Sequence, residues 1–149
     1  MSQTAAAACD GEDVMPRIAG GCLCGRVRYS GETEPIRMVA CHCKDCQRFT
    51  GSAFSIVIGV PTGTVTVTGD PMIYTQPGGT TGKPLHRTFC RDCGSPIMIY
   101  KDDTGRINIW AGTLDDTGLF TPTANIYCES KQAWVPLAPN MRQYVREGE

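Results

Sequence analysis

Seven cysteines in three short clusters constrain this chain more than any other feature: Cys22-Leu23-Cys24, Cys41-His42-Cys43-Lys44-Asp45-Cys46 and Cys90-Arg91-Asp92-Cys93. Cys9 and Cys128 stand apart from them. A C-x-x-C turn lets two thiolates converge on one ion at about 2.3 Å, and C-x-C along a strand points both sulfurs to one face because side chains repeat every two residues. Thiolate sets of this kind select zinc or iron–sulfur chemistry, and none of the ferredoxin spacings is present, so zinc is the expected metal. Nine cysteines, an odd number, also suit a secreted disulfide framework poorly.

The compartment bears on the same question. Residues 1–21 offer a run of four alanines, Ala5–Ala8, and then Asp10, Glu12 and Asp13, with no basic start or apolar stretch of secretory type. No run is long and apolar enough to span a bilayer. The expected location is therefore cytoplasmic, where thiols stay reduced and clustered cysteines bind metals or act in catalysis. A formal net charge of −1 supplies no positive field for phosphate backbones or anionic lipid, so neither nucleic acid nor a membrane is an expected partner.

A length of 149 residues suits one domain. Residues 1–17 are small, polar and acidic and read as a flexible N-terminal arm, leaving 18–149 as the zinc-binding domain. Within it, runs of β-formers alternate with glycine- and proline-containing turns, predicting strands over Gly25–Tyr29, Ala53–Val60, Thr64–Thr68, Met72–Thr75, Pro96–Tyr100, Ile107–Ala111 and Ala124–Cys128. Only Lys44–Phe49 and Asp115–Phe120 have the pattern for a helical turn or two. The expectation is an all-β fold of about seven to nine short strands, cross-linked by metal.

Ligand counting separates the clusters. Two two-cysteine clusters, Cys22 and Cys24 with Cys90 and Cys93, supply the four ligands of a closed structural site and clip an early strand to a late one. The trio Cys41, Cys43 and Cys46 supplies three, which leaves the fourth position open as in catalytic zinc sites. Cys128, His86 or an aspartate could instead close it, and pairing Cys43 and Cys46 with Cys90 and Cys93 satisfies the same count. His42 lies between two ligands and should point away from both, as a supporting or core residue. Three thiolates on a dication leave a charge near −1, which acidifies water poorly but suits an incoming thiol held beside a carbon electrophile.

Gly21-x-Cys-x-Cys-Gly-x-Val-x-Tyr29, then Cys41-His-Cys-x-x-Cys46-x-Arg48 with Gly51, then Phe89-Cys-x-x-Cys-Gly94 resemble the glutathione-dependent formaldehyde-activating enzyme family, which includes centromere protein V. The resemblance runs from about Ile18 to Tyr144. It implies a β-tent of small antiparallel sheets with two zinc ions per chain, a structural one on Cys22, Cys24, Cys90 and Cys93 and a catalytic one on Cys41, Cys43 and Cys46. The implied activity is condensation of formaldehyde with glutathione to S-hydroxymethylglutathione, or a related carbon–sulfur lyase reaction on a small-molecule thiol. Asn125 stands where the family pattern leads one to expect histidine, which puts in doubt a substrate contact there.

Arg48, Lys101 and Arg106 can pair with carboxylates of a glutathione-like substrate, although solvated surface charge is the plainer reading for each. Arg48 and Phe49 follow the trio directly and are the nearest candidates for substrate contact, with Phe49 and Phe54 as an apolar lip. Two classes of function remain: a zinc-dependent carbon–sulfur lyase or thiol-adduct enzyme, and a noncatalytic zinc-stabilised scaffold that binds a protein partner.

Overall fold

Short β-forming runs broken by tight turns produce eleven strands among the described residues, 14–78, 82–102, 104–119 and 121–147 of a computed structural model. Cys9 and the first thirteen residues of the expected arm lie outside the described residues. In chain order the strands are β1 (Arg17–Gly21), β2 (Arg28–Glu32), β3 (Arg37–Cys41), β4 (Ser55–Pro61), β5 (Thr66–Thr68) and β6 (Pro71–Gln76). They continue as β7 (Leu85–Cys90), β8 (Pro96–Lys101), β9 (Arg106–Trp110), β10 (Ala124–Ile126) and β11 (Arg142–Gln143). One helix, α1 (Lys44–Thr50), follows β3; the second expected helical segment is reduced to a 3-10 turn at Thr117–Leu119.

The strands form two sheets, a small one in the order β1-β2-β5 and a large one in the order β11-β10-β3-β4-β9-β8-β7-β6. The fold is all-β and antiparallel throughout its centre, while β10 pairs parallel with both β3 and β11. Four strands exceed the sequence reading: β1, β3, β7 and β11. The run predicted from Gly25 begins as a strand only at Arg28, because Cys22 to Val27 closes a turn in which Cys22 N–H donates to Val27 C=O at 3.0 Å. Among the described residues no helix is long and apolar enough to cross a membrane.

Alternation along the central strands gives the large sheet two unlike faces. One packs on the small sheet, where Ile18, Val27 and Tyr29 meet Ile58, Val60, Ile97 and Ile109 in the main core. The other carries Val39, Cys41, Val57, Ile99 and Trp110. Registry aligns this second face across the strands: Cys41 opposite Ser55, Val57 opposite Trp110, Asn108 opposite Ile99, and Ile99 opposite Arg87.

Ile109 is fully buried between the sheets and pairs with Ile58. Ile109→Ala is expected to cost about 2–5 kcal/mol, whereas Ile73→Ala on the exposed strand β6 should stay within about 0.5 kcal/mol. Urea unfolding of the metal-loaded protein measures both.

Candidate metal centres and cleft

The first cluster forms where two turns meet. Cys22 and Cys24 lie in the β1–β2 connection, Cys90 ends β7, and Cys93 lies in the turn to β8. Each turn is followed by a glycine in the left-handed region, Gly25 at φ 78° and Gly94 at φ 72°, a conformation that a side chain would disfavour. The turns are laced together, since Leu23 N–H donates to Ser95 Oγ at 3.0 Å and Arg26 pairs with Asp92 at 2.9 Å. All four sulfurs lie within 4.8 Å of one another, with Cys22–Cys24 at 3.5 Å and Cys24–Cys90 at 3.7 Å. A tetrahedral tetrathiolate site with bonds of about 2.3 Å has edges of about 3.8 Å, so the four could hold a metal ion. The Cys93 thiol is held down to about 5 by the Ser95 hydroxyl, then by the Ser95 N–H. At Cys24 the N–H of Arg26 pulls the other way but is outweighed by the crowding of neighbouring thiols, Cys22 first, which pushes it up to about 12.

The second cluster is the trio. Cys41 ends β3 facing the second side of the large sheet, Cys43 caps α1 by accepting from Cys46 N–H at 3.3 Å, and Cys46 lies in the first turn of that helix. Their sulfurs also lie within 4.8 Å of one another, and among the described residues no histidine, carboxylate or fourth cysteine joins them. The neighbouring Cys41 and then Cys43 thiols hold the Cys46 thiol down at about 3, with the Arg87 charge assisting. Cys41 is pushed up in turn by Cys43, Cys46 and burial. Three sulfurs this close cannot ionise together unless a cation joins them. His86 pairs instead with Asp102 at 3.2 Å, and Cys128 Sγ lies 3.6 Å from the Asn125 carbonyl.

His42 turns to the opposite face, where its Nε2 meets Asn125 Oδ1 at 2.9 Å and its ring lies 5.1 Å from that of Phe54. Asn125 is thus a buried partner of His42, and neither residue lines the cleft beside the trio. Phe54 forms no lip. Arg48 is exposed on α1 and away from the cleft, and Phe49 lies beneath it, stacked on Trp110 at 5.7 Å.

That cleft, of about 190 Å³, has the second face of the large sheet as its floor and the trio at one side. Lys101 and Arg106 line it, as do three residues the sequence reading did not single out: Arg37, Arg87 and Tyr127. Arg87 is only 2% exposed. It donates through Nε to Gln76 Oε1 at 3.0 Å and rests 5.0 Å above the centre of the Phe49 ring, while its buried Nη1 has no hydrogen-bond partner. A buried guanidinium without a carboxylate partner is costly, and a dication on three thiolates would present the single negative charge that offsets it. The trio's donor set and Arg87 together therefore fit a bound metal ion. Tyr127 sits at φ 57°, and among the described residues it alone is a non-glycine in that region. Composition gives no sign of this strained placement.

The sequence profile of the glutathione-dependent formaldehyde-activating enzyme family matches residues 17–130. A crystal structure of a Rhodobacter sphaeroides protein superposes with a TM-score of 0.50 at 23% identity, covering 65% of this chain and 87% of that one, and is a likeness of fold. No curated protein sequence matches the chain.

The two clusters are expected to respond differently to mutation. Cys90→Ser should lower stability by more than about 4 kcal/mol through loss of a structural ion. Cys43→Ser should reduce the metal content by one ion per chain and leave the fold intact by circular dichroism, and Cys128→Ser should change neither property.

Proposed function

The chain belongs to the glutathione-dependent formaldehyde-activating enzyme family, and from that premise we propose that it is a zinc-dependent enzyme that makes or breaks a carbon–sulfur bond. Its substrate is a small glutathione-like thiol or its S-adduct, with formaldehyde the electrophile implied by the family. Cys22, Cys24, Cys90 and Cys93 hold the structural ion, and Cys41, Cys43 and Cys46 the catalytic one. The observation that carries this reading is a three-thiol set, without a fourth side-chain ligand among the described residues, on the wall of a cleft. A scaffold needs no such opening.

A zinc ion on the trio supplies a soft Lewis acid that favours the thiolate form of a bound thiol. The protein's part is to place that sulfur and manage charge. Cys43 and Cys46 are fixed by the first turn of α1, and Cys41 by the β3 ladder, so the three donors move little. In adduct formation the thiol gives up its proton to solvent, the sulfur lone pair attacks the carbonyl carbon, a C–S bond forms, the C=O π pair moves to oxygen, and oxygen takes a proton back from solvent. Arg87 lies on the cleft wall close enough to Cys46 to lower its pKa, so its positive charge acts on the sulfurs and on the oxygen that becomes negative. Tyr127, raised to about 12 mainly by burial, keeps its proton at ordinary pH and offers an O–H to the cleft. The eight described cysteines are unbridged thiols, which suits the reducing cytoplasm.

The test is the rate of S-hydroxymethylglutathione formation from carbon-13 formaldehyde and glutathione, followed by NMR on zinc-loaded protein. Wild type should exceed the spontaneous rate, and Cys43→Ser should fall back to it. Arg87→Met should lose about 100-fold in kcat with metal content retained, and Arg87→Lys should recover part of it. A wild-type rate equal to the spontaneous one, or full activity in Cys43→Ser, would overturn the proposal.

A further inference from the structure

The cleft has a second charged region, and one of the chain's own carboxylates occupies it. Glu147 lies 3.5 Å from Lys101 Nζ, 3.8 Å from Arg37 Nη1 and 3.9 Å from Arg106 Nη2, and Tyr127 donates its hydroxyl to Oε2 at 3.4 Å. The three cations come from β8, β3 and β9 and reach the same face by strand register. Gly59 on β4 makes their approach possible, because a Cβ there would come within 2.7 Å of Arg37 Cγ and 2.9 Å of Arg106 Cδ. Two guanidinium groups set side by side in this way repel. Burial, and then the Arg37 charge, make Arg106 hold its proton less tightly than usual, and Arg106 Nε is buried without a hydrogen-bond partner.

This arrangement is more than its occupant requires. Three cations face one carboxylate, and each contact is longer than the 2.7–2.9 Å typical of a charge-assisted N–H···O bond. The cation side chains are 16–27% exposed, against 41% for Glu147, so the site is better enclosed than the group filling it.

We propose that Arg37, Lys101, Arg106 and Tyr127 form a carboxylate subsite for the substrate, and that Glu147 is its built-in competitor, displaced when a carboxylate-bearing thiol enters the cleft. The assignment rests on the reading of the trio as the thiol end of that cleft. Arg37 and Cys41 both face the cleft from β3 and are four residues apart, about 13 Å at the usual strand rise. A tripeptide backbone reaches about 10 Å, and its side chains extend that reach. The ligand class is therefore a thiol of short-peptide length with a carboxylate at some distance from its sulfur.

Calorimetric titration of the zinc-loaded full chain tests this with glutathione, glutathione diethyl ester and S-methylglutathione. Glu147→Gln should bind glutathione and S-methylglutathione roughly fivefold tighter, because a competitor is removed. Lys101→Met should bind them about tenfold more weakly, and neither variant should change affinity for the diester. Opposite shifts in two variants cannot arise from a general loss of fold. Unchanged affinity in Glu147→Gln, the same shifts with the diester, or no binding of S-methylglutathione to any protein overturns the subsite. The thiol end is read separately from the visible spectrum of cobalt-substituted protein on adding 2-mercaptoethanol. A spectral response without any Glu147 effect removes the subsite and leaves the thiol reading standing. No response, with S-methylglutathione binding that still depends on Glu147, removes the thiol reading and supports the subsite.

Discussion

Two thiolates 3.7 Å apart, the separation of the Cys24 and Cys90 sulfurs, repel by about 4.5 kcal/mol at an effective dielectric constant of 20. Four sulfurs within 4.8 Å of one another multiply that repulsion, and two ways of relieving it are to keep the thiols protonated or to place a dication among them. Protonation relieves the charge but leaves four short side chains with little attraction to hold two turns together. A dication reverses the sign of the interaction and makes the cluster a clasp. Such a clasp would join the β1–β2 connection, which belongs to the small sheet, to the β7–β8 turn of the large one. With the small sheet fastened to one face of the large sheet, the other face is left to form the floor of the cleft.

That division of labour runs residue by residue along β3 and the chain beside it. Cys41 and Arg37 face the cleft, while His42 faces away and is matched by Asn125 from β10. The parallel pairing sets Asn125 opposite Ala40 and Ile126 opposite Cys41, so Ile126 reaches the cleft and the asparagine does not. The departure from the expected pattern at Asn125 thus falls on a residue that packs on His42 and lies outside the lining of this cleft. Gln47 strengthens the same unit, donating to the carbonyls of His42 and Ser130 at 2.7 and 3.0 Å. The loop bearing the trio is thereby tied on the side opposite its sulfurs.

The cysteine clusters and α1 were legible because their spacing is local: C-x-C and C-x-x-C fix ligand directions within one or two turns, and the helix follows the trio directly at Lys44–Thr50. Strands β3 and β7 were not, because their sequences serve the cleft. Arg37 opens β3, and β7 reads Leu85-His86-Arg87-Thr88-Phe89-Cys90, which lacks the alternation of a half-buried strand and places a charge at a position that the fold buries. Its proximity to the trio comes from pairing with β8 and from Phe49 beneath it, relations between residues far apart in the chain. Arg48, exposed as its plainer reading expected, shows the limit of counting residues from a ligand. Two residues past a ligand on a helix is a turn toward solvent, whereas two residues along a strand would have kept it on the same face.

The charges of the cleft divide it into two ends of different character. A dication on the trio would leave about one negative charge there, and Arg87, buried beside it, would bring that end close to neutral. Asp45, tied to β6 by a hydrogen bond from Gln76 at 2.8 Å, adds a negative charge at the same end. Around Glu147 the balance is opposite, three cations to one carboxylate, so positive charge remains after the internal pairing. With a Debye length of about 8 Å at physiological ionic strength, an excess of this kind is felt inside the cleft and little beyond it. An anionic thiol would therefore be oriented after entry, its carboxylate drawn to the Arg37–Lys101–Arg106 end and its sulfur left to the trio, while a small neutral electrophile would meet no such preference. On the proposed reading, orientation and reactivity would fall to different residues on the same sheet face, because the far cations stand apart from the sulfurs along β3.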